Sequence, residues 1–250
     1  MHTALAIAGF TIVEARRNGL AWVFAAAALA ALGAALFAGT LALTEVRAMR
    51  AAIGGPVLRL AAVFMVAGFV ATSIAREKDD RVRDVLLSLP ITRARFAWAR
   101  LAGFCAVALV VGLLCGLVAL AFGPIGQVAL WTLSLACELM IVAAFALFAA
   151  TGLANVVAAL AATLGFYLLA RMAAALQLLG QERARSQLET IAADAVSAVL
   201  PHLDAFARTE WLAYGGAGAA DAGHALLQAA IYVVLLGAAC ALDLQREDIE

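Results

Sequence analysis

Residues 76–100 read REKDDRVRDVLLSLPITRARFAWAR and lie between two long apolar runs. They contain seven of the chain's 17 lysine and arginine residues. The chain as a whole is 66% hydrophobic and 14% charged, whereas soluble domains carry about 25% charged residues. Runs of about 20 apolar residues are long enough to cross a bilayer as helices. We therefore expect an all-α membrane protein in which residues 76–100 lie in water or among lipid headgroups.

The apolar runs on both sides of this stretch predict a single domain with six transmembrane helices. Residues 1–19 have a pattern typical of an amphipathic helix at the membrane interface. The longest segment between spans, residues 171–221, contains apolar residues at helical spacing and is expected to be an external helical segment. The predicted spans cover residues 20–43, 57–75, 101–122, 127–150, 156–170 and 222–242.

Two connections between these spans are predicted as well. Residues 44–56 are expected to form a short polar link, because they end in Gly54, Gly55 and Pro56, which break helices. The chain from Pro201 onward is expected to form a surface connection, and its aromatic residues are expected to anchor it at the membrane. These anchors are Phe206, Trp211 and Tyr214.

Lysine and arginine residues near the span ends indicate the orientation, because cytoplasmic loops carry an excess of them. If the N-terminus is inside, the inner side holds Arg16, Arg17, Arg246 and the seven basic residues of the 76–100 stretch. We expect both termini and residues 76–100 in the cytoplasm, and residues 171–221 outside.

The charged stretch has the pattern of a short amphipathic helix followed by a proline elbow. One apolar stripe is formed at helical spacing by Val82, Val85, Leu86 and Leu89. Acidic residues suit the start of such a helix, and Pro90 disfavours helix at the residue before it. The pattern predicts an element that lies flat on the membrane and offers a docking surface. The alternative is an ordinary cytoplasmic loop that follows the positive-inside rule.

Residues 76–93, REKDDRVRDVLLSLPITR, resemble the signature between the second and third spans of ABC-2-type transporter permeases. That family shows a short amphipathic helix, an LLSLPI(S/T)R core and a basic lead-in to the next span. The core, residues 86–93, is the specific part of the likeness. Residues 200–206, LPHLDAF, are similar to a run that the family often places before its last span.

The resemblance implies that two copies of the permease form the transmembrane part of an ATP-driven exporter in a bacterial inner membrane. Two cytosolic ABC ATPase subunits would bind beneath it, and residues 77–90 would be the coupling helix that fits a groove in the ATPase. Leu86 and Leu89 would anchor this helix, and Pro90 would fix its elbow. Polar contacts with the ATPase are implied for Glu77, Asp80, Arg81 and Arg83.

The single lysine bears on where ATP is hydrolysed. A P-loop has the pattern GxxxxGK followed by Ser or Thr, because its lysine holds the terminal phosphates. Lys78 is the only lysine in the chain, and it follows Arg76-Glu77 instead of glycine. We therefore expect that this chain is not an enzyme and that ATP and Mg²⁺ bind a separate ATPase.

Neither a cofactor nor a metal is expected in this chain. The four cysteines all fall inside predicted spans without a CxxC pair, and the three histidines are scattered. The net charge is zero, which gives no electrostatic argument for a nucleic-acid partner. The expected partners are the ATPase, a second copy of the chain and membrane lipids.

Glu138 lies near the middle of the fourth predicted span. A carboxylate at that depth costs at least about 2.5 kcal/mol, so we expect it to face protein or water and not lipid. Two interpretations are open. Glu138 either lines a transport path or proton-linked site, or it joins two helices inside the bundle.

Two smaller features carry predictions of their own. Gly112 and Gly116 form a GxxxG pattern, which lets helix backbones approach closely, and we expect ordinary packing within one subunit. Asn155 lies at the break between the fourth and fifth spans. It is expected to cap a helix, and the alternative is a second cytoplasmic contact with the ATPase.

Two alternatives to an ATP-driven permease follow from the residues. A secondary transporter would use Glu138 as a proton site and would work without nucleotide. A non-transporting membrane scaffold or assembly factor would have no continuous polar path. The sequence names no substrate, although the almost uniformly aliphatic spans lean toward a lipidic or hydrophobic cargo.

Overall fold

The computed structural model describes residues 9–11, 13–15, 17–42, 45–79, 93–153, 155–173, 200–216 and 218–246. Within these ranges every regular element is helical, which agrees with the predicted all-α class. The α-helices are α1 (Leu20–Leu41), α2 (Val46–Asp79), α3 (Arg93–Ala119), α4 (Ile125–Gly152), α5 (Val156–Arg171), α6 (Thr209–Ala213) and α7 (Ala219–Arg246). A short 3₁₀ turn covers Leu203–Ala205.

Five helices of the described part of the chain are long and apolar enough to cross a membrane, namely α1, α2, α3, α4 and α7. The helix α5 is apolar but has only 16 residues. At 1.5 Å per residue it is about 24 Å long, which is shorter than the roughly 30 Å of hydrocarbon in a bilayer. The chain is thus a multi-pass membrane protein with five candidate spans and one shorter apolar helix, where six spans were predicted.

The predicted polar link at residues 44–56 is wrong from Val46 onward. The helix α2 starts at Val46 and continues through Pro56. The two glycines before the proline serve close packing inside the helix. A Cβ atom on Gly54 would lie 2.7 Å from the Phe122 ring, and one on Gly55 would lie 3.2 Å from Leu212. Glycine here admits neighbouring side chains to the helix surface instead of ending the helix.

The helix α4 is the centre of the bundle, since it packs against α2, α3, α5 and α7. Of its most apolar 18-residue window, 78% is buried, against 17% for α1. Gly112 and Gly116 of α3 face α4, where added Cβ atoms would lie 3.0 Å from Ala136 and 2.3 Å from Thr132. The GxxxG pattern therefore packs two helices of the same chain, as predicted.

The connection before α7 lies deeper in the protein than predicted. Leu203 and Leu212 are 0% exposed, Phe206 is 1% exposed and Trp211 is 7% exposed. Only Tyr214, at 75% exposure, fits the expected surface position. The 3₁₀ turn packs against α5, and α6 packs against α2 and α4. Burial of these side chains makes the connection part of the core instead of a surface loop.

Candidate functional site

The predicted coupling residues fall on both sides of a boundary of the described chain. Glu77 lies in the last turn of α2 and is described. The other six, Asp80, Arg81, Arg83, Leu86, Leu89 and Pro90, lie outside the described residues. What the structure does describe is the base of this stretch, where α2 ends at Asp79 and α3 begins at Arg93.

Arg100, near the start of α3, is the central cation at this base and is only 2% exposed. Its Nη1 donates to Thr11 Oγ1 at 2.7 Å, and its Nη2 donates to Ser73 Oγ at 2.7 Å. Nη2 also forms ion pairs with Glu14 Oε2 at 3.2 Å and with Glu77 Oε1. We call these residues the Arg100 cluster. Its hydrogen bonds to ionised groups are of the strong, charge-assisted kind.

The Arg100 cluster joins three separate parts of the chain. Thr11 and Glu14 belong to the segment before α1, Ser73 and Glu77 to the end of α2, and Arg100 to the start of α3. Ser73 Oγ donates to Glu14 Oε1 at 2.6 Å, so the end of α2 and the segment before α1 are also bonded directly to each other. The segment before α1, the end of α2 and the start of α3 are therefore held in one fixed arrangement.

Glu77 was predicted to contact an ATPase, and its carboxylate is instead mostly enclosed here, with 15% of the side chain exposed. It pairs with Arg100 of the same chain. Its contact with a partner stays a prediction. The importance of Arg100 was missed, because it was counted only as part of a basic lead-in. Arg100 directly precedes the apolar run that begins at Leu101, and Glu14 and Glu77 lie beside the ends of two other apolar runs. Opposite charges at the ends of neighbouring spans are the signal that indicates such a pair.

Lys78, the residue after Glu77, contacts a different part of the protein, the end of α4 and the turn before α5. Its Nζ donates to the backbone carbonyls of Ala150, Thr151 and Leu153 at 2.8, 3.1 and 3.1 Å. These carbonyls lie at the end of α4 and in the turn before α5. In the same turn Asn155 Oδ1 accepts from Val157 N at 2.9 Å, which confirms the predicted helix cap.

The space around these residues is too small for a substrate. A cavity of about 20 Å³ is bordered by Glu77, Lys78, Arg100, Thr151 and Cys240. This is room for about one water-sized sphere. The Arg100 cluster therefore has the features of a mechanical joint and not of a binding pocket.

Glu138 belongs to a second group of polar contacts. Its side chain is 0% exposed, and Arg171 Nη1 lies 3.6 Å from Glu138 Oε1. This confirms that Glu138 faces protein and not lipid. The distance exceeds that of a hydrogen bond, so the pair is held by charge. The contact joins α4 to the end of α5, which favours the interpretation that Glu138 connects helices, and it leaves the transport-path interpretation untested.

Arg171 also binds the connection that leads to α7. Its Nη1 donates to the carbonyl oxygen of Leu203 and, at 2.9 Å, to that of Phe206. The residue that follows, Ala207, has a positive φ of 43°, which is rare for a residue with a Cβ atom. The polar contacts of Arg171 thus close around a sharp bend in the backbone.

Three further side chains hold that bend at Ala207. Its carbonyl accepts from Arg59 Nη1 at 2.9 Å and from Trp131 Nε1 at 3.1 Å, and its N–H donates to Ser134 Oγ at 3.1 Å. We call Arg59, Trp131, Ser134, Glu138 and Arg171, with the backbone of residues 203–207, the Arg171 cluster. Trp131 and Ser134 were not predicted, because no sequence pattern tells which carbonyl a buried donor will meet.

A metal centre is not indicated by the part of the chain that the structure describes. No group of three or more His, Cys, Asp and Glu side chains there is arranged to hold an ion. The carboxylates of both clusters are instead each placed beside an arginine.

Comparison with known proteins adds one finding. A family model described as ABC-2 family transporter protein matches residues 40–180. The matched range covers α2 to α5 and includes the 76–93 signature as well as Glu138 and Arg171. No curated protein matches the chain.

Proposed function

Because the chain belongs to the ABC-2 family of transporter proteins, we propose that it is the permease subunit that couples a separate ATPase to movement across the membrane. As a member of this family the chain is a membrane component of an ABC transport system. The observation that carries the finer proposal is the fixed base of the 80–92 stretch. Its two flanking helices and the segment before α1 meet at Arg100.

The proposed mechanism is mechanical. Two ATPase subunits bind the cytoplasmic side of a permease dimer and close on ATP. Their closure displaces the 80–92 stretch, in which Leu86 and Leu89 insert into a groove of the ATPase and Pro90 fixes the elbow. The polar contacts around them come from Asp80, Arg81 and Arg83. ATP and Mg²⁺ are bound by the ATPase and not by this chain.

The fixed base gives such a displacement a definite consequence. Because Arg100 bonds to the end of α2 and to the segment before α1, a push on the stretch moves these elements together with α3. The two permease copies then rock against each other, and the path between them opens on the outer side. We propose that the direction is export, with both termini in the cytoplasm of a bacterial cell and the protein in its inner membrane.

Co-purification tests the proposal. The permease is expressed with candidate ABC ATPases from the same genome, extracted in detergent and captured by a tag on the permease. We expect an ATPase to be retained by the wild type and lost from the Leu86→Asp, Leu89→Asp variant, because a charge cannot enter an apolar groove without a partner.

The matched control is Leu87→Asp, which adds the same charge on the opposite face of the predicted helix. It should retain the ATPase. If the wild type retains no ATPase while the Leu86→Asp, Leu89→Asp variant still supports function in cells, the coupling proposal is wrong. Transport by the wild type in vesicles without nucleotide would favour the secondary transporter instead.

A further inference from the structure

Lys78 has a position that the proposed function does not use. It is next to the last residue of α2 and is the chain's single lysine. The last four carbonyls of an α-helix lack partners within that helix, and the helix dipole places partial negative charge there. The Lys78 ammonium lies at this end of α4 and donates to Ala150, Thr151 and Leu153. It therefore acts as a cap that comes from another helix.

A basic residue that only follows the positive-inside rule would be exposed to water, and Lys78 differs from this. Arg76, near the end of α2, and Arg95, near the start of α3, are both exposed. Lys78 is partly buried and its ammonium is directed into the protein. The space beside it, bordered by Leu153 and Asn155, is only about 10 Å³, so the ammonium does not hold a ligand there.

Adjacent residues at the end of α2 are thus bonded to different elements. Glu77 pairs with Arg100 at the start of α3, whereas Lys78 binds the last turn of α4 through Ala150 and Thr151 and the turn that follows it through Leu153. The turn holds its own conformation, because Asn155 caps α5 and Leu153 N donates to Ala149 O. Because the turn holds its own conformation, the three hydrogen bonds from Lys78 allow the turn and the end of α4 to move together with the end of α2.

Resting on the proposed function, we propose that Lys78 is a positioning residue that fixes the α4–α5 turn to the end of α2. When the ATPase displaces the end of α2, the turn moves with it. Through the turn the displacement reaches α5, whose last residue, Arg171, belongs to the other cluster.

The spacing between the two elements can be followed by electron paramagnetic resonance. Spin labels are placed at Arg76→Cys and Leu153→Cys, both exposed positions, in the full chain in lipid nanodiscs. Cys105, the native cysteine that is not fully buried, is replaced by alanine. In this background we expect strong dipolar broadening, because Lys78, two residues after the first label, is bonded to the backbone carbonyl of the second labelled residue.

The Lys78→Met variant should lose this broadening, and Lys78→Arg should keep it, because a guanidinium also carries donors that reach carbonyls. Arg95→Met removes an exposed charge at the same end and should keep it too. Equal broadening in wild type and Lys78→Met, or equal loss in Arg95→Met, would overturn the proposal. If Lys78→Met does not fold, Lys78→Gln, which keeps an N–H donor but no charge, takes its place in the measurement.

A second measurement uses the complex with the ATPase, trapped with ATP and vanadate. The wild-type labels should stay close after trapping, and those of Lys78→Met should separate or spread over many distances. If the wild type retains no ATPase, the proposed function fails, whereas the result without nucleotide still decides whether Lys78 fixes the turn. If the ATPase binds and the trapped spectra of both proteins are the same, Lys78 has no positioning role.

Discussion

The Arg100 and Arg171 clusters use the same cation in two different ways. Arg100 is bound by side chains, namely two carboxylates and two hydroxyls. Arg171 is bound by two backbone carbonyls and one carboxylate. Both clusters include a residue of α2, and Arg59 and Ser73 are separated by about 21 Å along it. The chain thus has two polar joints at different depths of one long helix.

The difference lies in what each cluster holds. The Arg100 cluster joins elements through their own polar side chains, so every partner is visible as a residue type. The Arg171 cluster holds a backbone bend whose residues, Leu203, Phe206 and Ala207, contribute only main-chain groups. In the first cluster the partners can replace one another. In the second, Arg59, Trp131, Ser134 and Arg171 each meet fixed backbone atoms, so we expect less tolerance of small changes.

The largest effect is expected for Arg100→Met. Loss of the guanidinium leaves Glu14 and Glu77 as two enclosed carboxylates without their common cation. Breaking a buried pair by removing one partner costs about 3–5 kcal/mol. The free energy of unfolding should fall by that amount in denaturant titrations of the protein in mixed micelles.

The control for this change is Arg95→Met, which removes an exposed arginine from the same helix. Surface substitutions usually change stability by no more than about 0.5 kcal/mol. A comparable loss in both variants would show that the charge near the membrane matters and the cluster does not. That outcome would break the comparison, because the Arg100 cluster would then not be a joint.

A somewhat smaller effect is expected for Arg171→Met, about 3 kcal/mol, at the low end of the range for a broken buried pair. Arg171 is partly exposed, at 21%, but its partner Glu138 is fully enclosed. The decisive measurement is a double-mutant cycle with Glu138→Gln. Because the neutral amide needs no cation, the double variant should be less destabilised than the sum of the single ones, with a coupling energy of about 1–3 kcal/mol.

Additive effects would contradict the ion pair. Arg171 would then act only through the carbonyls of Leu203 and Phe206, and Glu138 would be free for another role. A transport assay on Glu138→Gln separates these cases further. Normal ATP-dependent transport by this variant would exclude the proton-linked alternative, because an amide cannot exchange a proton as a carboxylate does.

The predictions from sequence succeeded where a side chain determines its own environment. Glu138 was expected to face protein or water, since lipid cannot solvate a carboxylate, and it is enclosed by protein. Asn155 was expected to cap a helix, since its side chain accepts from the backbone two residues on, and it does. The glycine pair at Gly112 and Gly116 was expected to pack helices within the chain, and it does.

The predictions failed where the tertiary structure decides. Gly54, Gly55 and Pro56 break helices in isolation, but here neighbours pack into the space that the glycines leave, and α2 continues. The chain from Pro201 onward was expected to form a surface connection anchored at the membrane by aromatic residues, but Phe206 and Trp211 are buried. The carbonyls of Leu203 and Phe206 in this buried connection accept hydrogen bonds from Arg171 of α5, a contact that no local pattern reveals.

The smallest effects come from a matched pair of serine substitutions, and they test the comparison most directly. Ser134→Ala removes the acceptor of the Ala207 N–H in a buried site. An orphaned buried donor costs about 1–3 kcal/mol, and no other acceptor is bonded to it in the described structure.

Ser73→Ala removes a hydroxyl between Arg100 and Glu14, which are already in direct contact at 3.2 Å. The arginine and the carboxylate can close the gap, so this loss should stay below about 1 kcal/mol. Both variants are measured by denaturant unfolding in the same micelles. If Ser73→Ala proves the more harmful, the side-chain cluster is the less tolerant of the two, and the distinction between replaceable side-chain partners and fixed backbone partners does not hold.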